Sequence, residues 1–377
     1  MSDALINVFQ PALGAEELDA VRAVFASNWV GKGAVTASFE AEFADRMGEP
    51  RDRFRSASCA TEALFQALPL AGIGPGDDVV LPAISFVGAG NAVMAAGARP
   101  VFCDVDPRTL NATPACVAAA LTPRSKAVLV LHYGGVPCEM DELLALAKER
   151  GLALIEDSAC SVASRYRGRA CGCLGDVGAW SFDAMKILVT GDGGMIYCRD
   201  PERAARAEEG LYLGLGSRSG FSRMSEQRWW EFQVSTPGRR AIMNDIASAI
   251  GLEQLKKLSR FVLRRREIHR AYQEAFADLA WLRTPPEPPA HVESSYYFYW
   301  VQTPPGSRDR LAQHMKEQGV YTTFRYYPLH RVRLYGSEAR LPAADAAAET
   351  TLCLPLHQSL SDDDVSKVVA AVRAFRA

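Results

Sequence analysis

The segment from residue 126 to residue 159 decides the fold, because it reads as a strand, a helix and a second strand. Its three parts are KAVLVLHYGG (126–135), EMDELLALAKERG (139–151) and LALIEDSA (152–159). The outer parts are short apolar runs, whereas the middle part has the spacing of an amphipathic helix. This order predicts two neighbouring parallel strands joined by a right-handed crossover. In such sheets, ligands bind at the carboxyl ends of the strands.

The same alternation extends toward the N-terminus. Residues 77–84 (DDVVLPAI) and 98–105 (ARPVFCDV) read as strands, and residues 88–97 and 113–121 read as helices. Strands that alternate with helices are typical of a mostly parallel sheet covered by helices. We therefore predict an α/β fold with such a sheet in its large domain.

The pattern changes in the last third of the chain. There we predict a long helix, a strand and two further helices, over residues 244–279, 294–303, 308–319 and 361–375. Ser361 is the expected cap of the last helix. We predict a large domain over residues 1–250 and a smaller C-terminal α+β domain over residues 251–377.

Composition and charge exclude several classes of protein. The chain has 377 residues and a net charge of −2, which gives no electrostatic reason to expect a nucleic acid or an acidic membrane as partner. No stretch of about 18 apolar residues and no signal peptide is evident, so we expect no membrane span. The nine cysteines form no CxxC pair, which argues against a metal site and favours free thiols in the cytoplasm.

A single lysine, Lys186, lies in the stretch SFDAMKILVTGDGGMIYC, residues 181–198. A lysine in apolar surroundings either keeps its ammonium group in water or loses its proton and becomes a nucleophile. The surroundings of Lys186 therefore suggest a lysine that bonds covalently to a carbonyl compound.

Pyridoxal phosphate (PLP) needs such a lysine, an acid opposite its ring nitrogen, an aromatic face and a phosphate cradle. A helix N-terminus offers free N–H groups and a favourable dipole for phosphate. The candidates are Lys186, Asp157 as the acid, Phe86 as the aromatic face, and Ala60, Thr61 and Ser181 at the phosphate. Each of these alone also fits a turn, a cap or a core residue. Their order and spacing together are typical of a PLP site.

Four segments resemble the DegT/StrS family of sugar-nucleotide aminotransferases, which are PLP enzymes of fold type I. They are residues 27–44, 71–106, 154–195 and 352–365. The third segment is the most specific, because it contains the family pattern E-D-x-A…G-x-x-G-D-x-G-x-x-S-F…K…G-x-G-G. The resemblance runs nearly from end to end.

The resemblance implies roles that agree with the candidates above. Lys186 would hold the cofactor, Asp157 would pair with the ring nitrogen, and Phe86 would stack on the ring. Thr61 with its neighbouring backbone and Ser181 would bind the phosphate. The resemblance also implies a homodimer whose active sites contain residues of both chains. Lysine at position 186 argues against the dehydratases of the family, which have histidine there.

The sequence departs from the family pattern at three places. Ala60 stands where glycine is frequent, and Cys160 stands where glutamine or histidine is usual. In the segment that would reach the neighbouring subunit, the usual asparagine is Arg240 and the usual arginine is Ile242. These changes put the contacts around the phosphate and the ring hydroxyl in doubt.

Substrate contacts are expected from the segment FRYYPLH, residues 324–330. Arg325 and His330 both present N–H donors that suit a carboxylate or a diphosphate. A plain surface loop is the alternative. The arginines at 218, 223 and 228 also suit a diphosphate, although a solvated loop is equally compatible. The aromatic pairs and runs at 229–230 and 296–300 suit a nucleotide base, but core and interface positions are favoured.

The combined interpretation is a PLP-dependent aminotransferase that moves an amino group from glutamate or glutamine to a keto sugar nucleotide. A 4-keto-6-deoxy sugar is favoured. The alternatives are an inosose aminotransferase and a PLP-binding regulatory protein without turnover. A nicotinamide-dependent enzyme lacks support, because no GxGxxG follows the first strand.

Overall fold

A computed structural model describes residues 5–216 and 230–376 of the protein. Its central sheet has seven strands in the order β1-β9-β8-β5-β4-β2-β3, where β1 is Phe54–Ala57, β2 is Asp78–Pro82, β3 is Arg99–Cys103, β4 is Ser125–Leu131, β5 is Ala153–Asp157, β8 is Val177–Ser181 and β9 is Gly194–Cys198. The five strands from β3 to β8 are parallel, and β9 is antiparallel to both of its neighbours. The predicted α/β fold with a mostly parallel sheet is confirmed.

The helices of the large sheet cover both of its faces. They are α1 (Ala15–Ala26), α2 (Ala34–Met47), α3 (Ala60–Leu70), α4 (Val87–Ala95), α5 (Pro114–Ala120), α6 (Met140–Arg150) and α7 (Pro201–Leu211). The unit that decides the fold is β4–α6–β5, as the sequence predicts. Helix α6 ends because Gly151 adopts a left-handed conformation with φ 63°.

The alternation of side chains along β5 separates two apolar clusters. Leu154 packs with Val128 and Val130 in the smaller cluster, which also contains residues of α6. Ile155 packs with Leu129 in the larger cluster. Because successive side chains of a strand point to opposite faces, the last two residues of β5 also point to opposite faces.

Most of the remaining elements lie after residue 244. They are the helices α8 (Asp245–Phe276), α9 (Arg308–Glu317), α10 (Pro342–Thr350) and α11 (Asp362–Ala374) and the strands β11 (Tyr299–Gln302) and β12 (Thr351–Leu354), which pair antiparallel. Short strands β6 (Arg165–Tyr166), β7 (Arg169–Ala170) and β10 (Val292–Glu293) form a third sheet. Ser361 caps α11 by accepting a hydrogen bond from the backbone N–H of Asp364 at 3.1 Å, as predicted.

Two predictions about this part have different outcomes. The strand predicted over residues 294–303 was too long, because only residues 299–302 form β11. Tyr296 has φ 53°, and the N–H groups of Tyr297 and Phe298 both donate to the carbonyl oxygen of Gly134. The division at residues 250 and 251 stays a prediction, and α8 passes through it without a break.

No helix within the described ranges is long and apolar enough to cross a membrane. In those same ranges, no group of three or more histidine, cysteine, aspartate or glutamate side chains is placed to hold a metal ion. All nine cysteines are free thiols.

Candidate active site

The candidate residues converge where β5 ends, where α3 begins and where the chain turns from β8 into β9. Asp157 is the last residue of β5, Ala60 is the first residue of α3, and Lys186 lies between β8 and β9. Ser181 is the last residue of β8 and pairs with Gly194 of β9. The carboxyl edge of the parallel sheet is therefore the site that the strand order predicts.

Lys186 is half-buried and its Nζ lies 4.8 Å from the centre of the Tyr297 ring. Burial disfavours its ammonium form, but the neighbouring Tyr297, Cys160 and Asp157 outweigh burial and raise the pKa of Lys186 above its ordinary value. Of the two outcomes that apolar surroundings allow for a lysine, these neighbours favour the charged one.

Asp157 is buried and carries a single described hydrogen bond, in which the N–H of Ala159 donates to Oδ1 at 3.0 Å. Burial raises the pKa of the Asp157 carboxyl, although this hydrogen bond and the nearby Lys186 and His132 oppose the shift. A buried carboxylate with so few donors is stabilised by a cation placed against it.

The N-terminus of α3 presents two backbone N–H groups toward this edge. Cys59 caps the helix, since its sulfur accepts from the N–H of Glu62 at 3.5 Å and its carbonyl accepts from Ala63. Within the described residues, no partner occupies the N–H groups of Ala60 and Thr61, which have no acceptor in the first helical turn. Together with the helix dipole, these donors suit a phosphate.

Two glycines allow the elements around this N-terminus to approach closely. A Cβ atom on Gly194 would lie 2.6 Å from the backbone nitrogen of Ala60, so β9 passes directly against the helix start. A Cβ atom on Gly88 would lie 3.3 Å from the Thr61 hydroxyl and 3.2 Å from the Phe86 ring. The hydroxyl and the ring are therefore neighbours on one side of the site.

Phe86 is the residue before α4, and its side chain is 46% exposed although it adjoins the buried site. Its ring centre lies 5.8 Å from that of Tyr326, at an interplanar angle of 58°. An exposed aromatic ring beside a group of polar donors offers a face on which a flat ligand can stack.

Cys160 is buried beside the same group of side chains. Its sulfur lies 3.7 Å from the hydroxyl of Tyr326, and burial raises the pKa of the thiol. Sequence reasoning missed Tyr326 and assigned Tyr297 to a core or interface. Tyr326 could have been predicted as a site residue because it follows Arg325 directly in the sequence. Nothing in the aromatic run 296–300 indicates that Tyr297, among its four aromatic neighbours, lies at the site.

Arg325 lies beside the loop that carries Lys186. Its guanidinium is 5.1 Å from the ring centre of Phe9, and Nη2 is 3.1 Å from the sulfur of Met185. His330 is buried, and its Nε2 lies 3.1 Å from Oδ1 of Asp345 in α10. The structure thus brings Arg325 to the candidate site, whereas no described contact links His330 to Lys186.

Arg240 is exposed, and its guanidinium lies 5.4 Å from the centre of the Tyr212 ring. The carbonyl of the next residue, Ala241, accepts a hydrogen bond from the N–H of Ser58 at 2.7 Å, just before α3. The arginines at 218, 223 and 228 and the tryptophan at 229 lie outside the described residues.

Two other polar residues at strand ends have local structural roles. His132 is fully buried; its Nε2 is 2.9 Å from Glu156, and its Nδ1 accepts from the N–H of Cys138 at 3.2 Å. Asp104 accepts from the N–H groups of Ala343 and Ala344 at the start of α10. Asp104 thus caps the N-terminus of α10.

The described residues satisfy the requirements of PLP. A lysine, a buried carboxylate short of donors, an exposed aromatic ring and free N–H groups at a helix N-terminus lie around one edge of the sheet. The hydroxyls of Thr61 and Ser181 add donors beside the helix start. Such a set can attach an aldehyde, oppose a charged ring nitrogen and bind a phosphate.

Comparisons with known proteins agree with this arrangement. The profile of the DegT/DnrJ/EryC1/StrS aminotransferase family matches residues 11–373. A relative from Saccharopolyspora spinosa, named dTDP-4-dehydro-2,3,6-trideoxy-D-glucose 4-aminotransferase, is 53% identical over 97% of this chain and 95% of its own length. The spore coat polysaccharide biosynthesis protein SpsC of Bacillus subtilis is 38% identical over 96% of this chain and 95% of its own.

A solved structure shows the same fold at high similarity. The crystal structure of the aminotransferase TlmJ from Streptoalloteichus hindustanus is 57% identical, has a TM-score of 0.94, and the match covers 98% of each chain. The sugar aminotransferase CalS13 from Micromonospora echinospora is 27% identical with a TM-score of 0.90, over 98% of this chain and 100% of its own. The chain therefore belongs to the DegT/DnrJ/EryC1/StrS aminotransferase family and is an aminotransferase.

Proposed function

We propose that the protein is a PLP-dependent aminotransferase that transfers an amino group from glutamate or glutamine to a keto sugar nucleotide. The observation that carries the proposal is the convergence of Lys186, Asp157 and the free N–H groups of α3 at one edge of the sheet. The name of the Saccharopolyspora spinosa relative supports a 4-keto-6-deoxy sugar as the acceptor. The nine free thiols support a cytoplasmic location.

When bound, PLP supplies an aldehyde that carries the amino group and a ring that accepts electrons from the substrate carbon. Lys186 is the residue that would hold it covalently, through Nζ. The carboxylate of Asp157 would keep a proton on the ring nitrogen, because the two opposite charges stabilise each other in a buried site. Nζ of Lys186, once released, would take the proton from the substrate carbon and return it to the product.

The phosphate would be held at the start of α3. The N–H groups of Ala60 and Thr61 and the hydroxyls of Thr61 and Ser181 are the proposed donors. Phe86 would stack on the ring, and Cys160 would lie beside it. Two neutral hydroxyls and a helix N-terminus can bind a dianion without any cationic side chain of the same chain.

Arg325 is the proposed anion-binding residue for both substrates. It lies beside Met185, the residue before Lys186, so an anionic group that it binds would be close to the reacting lysine. The amino donor carries a carboxylate and the acceptor a diphosphate, and a guanidinium can donate two parallel hydrogen bonds to either. His330 is proposed as a second contact in the same loop.

A panel of keto sugar nucleotides tests the proposed function. The enzyme is first converted to its amine form with glutamate or glutamine, and each sugar is then added while the absorbance band of the aldehyde form is followed. We expect the band to return fastest with a 4-keto-6-deoxy sugar nucleotide and far more slowly with simple 2-keto acids.

The Lys186→Ala variant is the matched control for this panel. It lacks the only proposed proton-transfer group, so we expect no turnover, with a circular dichroism spectrum like that of the parent. Efficient exchange among amino acids with no sugar accepted would contradict the sugar substrate. Steady turnover by Lys186→Ala would contradict the role of the lysine.

We also propose that Arg240 acts across a homodimer interface, in the partner's active site near the cofactor phosphate. Its exposure in the single chain and its contact with the exposed Tyr212 support this arrangement. Other apolar residues close in sequence are also exposed: Leu213, Phe232 and Val234. An arginine can form a bidentate contact with a phosphate, which the short amide of asparagine cannot.

Mixing two inactive variants tests this dimer directly. Subunits of Lys186→Ala and Arg240→Ala are exchanged, and activity is measured before and after. If Arg240 serves the partner's site, one site of each mixed dimer carries both lesions and the other carries neither, so activity returns. If it serves its own chain, every site keeps one lesion and activity stays absent. Normal cofactor affinity of Arg240→Ala alone would also contradict the proposal.

A further inference from the structure

Arg265 of α8 is a fully buried guanidinium without an ion-pair partner among the described residues. Its Nη1 donates to the carbonyl oxygens of Tyr296 at 3.2 Å, Tyr297 at 3.3 Å and Leu356 at 2.9 Å, and its Nε donates to Oε1 of Gln358 at 3.0 Å. Burial lowers its pKa to about 10. Burying a cation without an ion-pair partner costs free energy, so we look for its role in the groups that its N–H donors hold together. They tie residues 296–297 to residues 356–358.

The segment that Arg265 holds contains Tyr297, which is almost completely buried. On its other side, the N–H groups of Tyr297 and Phe298 donate to the carbonyl oxygen of Gly134 at 2.8 and 3.2 Å. The ring of Tyr297 stacks on Phe9 with centres 5.6 Å apart and an interplanar angle of 15°. Tyr297 is therefore fixed through its backbone as much as through its side chain.

The Tyr297 side chain ends beside the candidate lysine. Its ring centre is 4.8 Å from Nζ of Lys186, and its hydroxyl donates to the carbonyl oxygen of Met185 at 3.4 Å. A phenol that donates to a carbonyl keeps its oxygen lone pairs free to accept from an ammonium group. Tyr297 thus offers Lys186 both a ring face and a hydrogen-bond acceptor.

We propose that Arg265 is a positioning residue, which holds Tyr297 against Lys186 through the carbonyl groups of residues 296 and 297. The proposal rests on the proposed role of Lys186 in proton transfer. Without the guanidinium, the left-handed turn at Tyr296 keeps the bond from its own N–H to the Ser294 hydroxyl and those of Tyr297 and Phe298 to Gly134. Its two carbonyl groups lose the donor that ties them to residues 356–358, so the Tyr297 ring gains freedom to move away. Lys186 then loses the acceptor that stabilises its ammonium form.

Removing Arg265 can change the pKa of Lys186 in two ways, and the two changes have opposite signs. One is the loss of support for Tyr297, and the other is the loss of a positive charge. The titratable groups that act on Lys186 are Tyr297, Cys160 and Asp157. Tyr326 and Arg325 in turn act on Cys160, and Arg325 also acts on Tyr297. Removing the positive charge of Arg265, which lies on the carbonyl side of Tyr297, would by itself ease protonation of Lys186 and raise its pKa. Removing the support of Tyr297 would lower it. The sign of the shift therefore distinguishes the two effects.

The test titrates Lys186 in the full-length protein after its cofactor has been removed. Acetic anhydride is applied in short pulses across a pH series, and acetylation of Lys186 is quantified by mass spectrometry against the exposed Lys126 as internal reference. We expect Tyr297→Phe and Arg265→Met each to lower the Lys186 midpoint by about one pH unit, since a hydrogen bond to an ammonium is lost. The double variant should shift no further, because both changes remove one interaction.

Arg264→Met is the matched control, because this neighbouring arginine also donates to a carbonyl, that of Leu360, and to Asp362. We expect it to leave the Lys186 midpoint unchanged. If Arg265→Met does not fold, Arg265→Lys keeps the charge with fewer donors and should give a smaller shift in the same direction.

An upward shift, no shift, or additive shifts in the double variant would overturn the proposal. The titration requires neither substrate nor turnover, so failure of the sugar panel does not alter its result. Conversely, if the enzyme is an active aminotransferase and Arg265→Met leaves the Lys186 midpoint unchanged, the role of Arg265 is contradicted and the proposed function is not.

Discussion

Glu156 and Asp157 are adjacent at the end of β5, yet their carboxylates meet opposite environments. Glu156 faces the smaller cluster, where it is fully buried and accepts from four donors: the N–H groups of Gly172, Leu174 and Gly175 and the ring of His132. Asp157 faces the larger cluster and has one described donor, the N–H of Ala159. The same chemical group is satisfied on one face and left short of donors on the other.

The difference shows how adjacent residues of one strand can have a structural role on one face of the sheet and a ligand-binding role on the other. A carboxylate whose oxygens are saturated by backbone donors has little left to offer a ligand, so Glu156 fixes the loop of residues 172–175. A buried carboxylate that has few donors has a raised pKa, and a further cation placed against it would stabilise its charged form. Asp157 is therefore poised for a charged ligand, and the two residues should respond to substitution in opposite ways.

The largest expected effect is on the rate of Asp157→Asn. An amide cannot balance a charged ring nitrogen, and losing a buried charge pair costs about 3–5 kcal/mol, so most of the turnover rate should disappear. Cofactor binding and the circular dichroism spectrum should persist. Turnover measured with saturating donor and acceptor checks this, and a rate within a few-fold of the parent would mean that Asp157 is structural.

Stability measurements on the cofactor-free protein extend the same prediction. Because burial raises the pKa of Asp157 in the folded protein, its carboxylate makes folding less favourable as pH rises above the unfolded value. Asp157→Asn should therefore unfold at a higher temperature than the parent near neutral pH, and the gap should shrink as pH falls toward 4. A variant that is less stable than the parent at neutral pH would contradict this.

Glu156→Gln should instead lower stability and spare the chemistry. The new amide N–H₂ would face donors where an acceptor is needed, and leaving such buried groups unsatisfied costs about 3 kcal/mol. Urea unfolding should show this loss, while turnover per folded molecule at low temperature stays within a few-fold of the parent. Unchanged stability, or a rate loss as large as that of Asp157→Asn, would break the contrast between the two faces.

The sequence was sufficient to predict which of these elements exist and where they meet. The apolar runs and the helical spacing between residues 126 and 159 predicted β4, α6 and β5, and the order of motifs placed Lys186 and Asp157. Such predictions succeed because they depend on local periodicity and on chain order. The distinction between Glu156 and Asp157 also follows from alternation, once the face that carries the ligand is known.

Other features depended on contacts between distant segments, which local patterns do not encode. The aromatic run 296–300 looked like a strand, but the carbonyl of Gly134 and the left-handed Tyr296 end it early. Tyr297 lies in an aromatic run that is typical of a core, and its contact with Arg265, 32 positions earlier in the chain, arises only in the folded protein. The pairing of His330 with Asp345 likewise required the packing of α10.

A third carboxylate, at the opposite edge of the sheet, sharpens the comparison. Asp78 begins β2 and accepts from Arg99 at 2.9 and 2.6 Å, from the Thr122 hydroxyl at 2.6 Å and from Arg124 at 3.5 Å. Hydrogen bonds from Arg99 and Thr122 and the charges of both arginines outweigh burial and lower the pKa of Asp78 to about 2. At the amino edge of the sheet, the buried carboxylate of Asp78 is thus already paired with two arginines of the same chain, Arg99 and Arg124.

The smallest expected effect is that of Asp78→Asn, and its pH dependence should be opposite in sign to that of Asp157→Asn. A carboxyl whose folded pKa is lowered from 3.8 to about 2 stabilises the fold by about 2 kcal/mol above its unfolded pKa. Asp78→Asn should therefore be less stable than the parent by a constant amount above about pH 5, and the difference should decline as pH falls from 4 toward 2. Urea unfolding at several pH values measures it, with Arg124→Met as a milder control because its contact is long and exposed. If the stability difference between Asp78→Asn and the parent does not vary with pH, the charge of Asp78 does not contribute to stability. Pairing with cations would then not explain the contrast between Asp78 and Asp157.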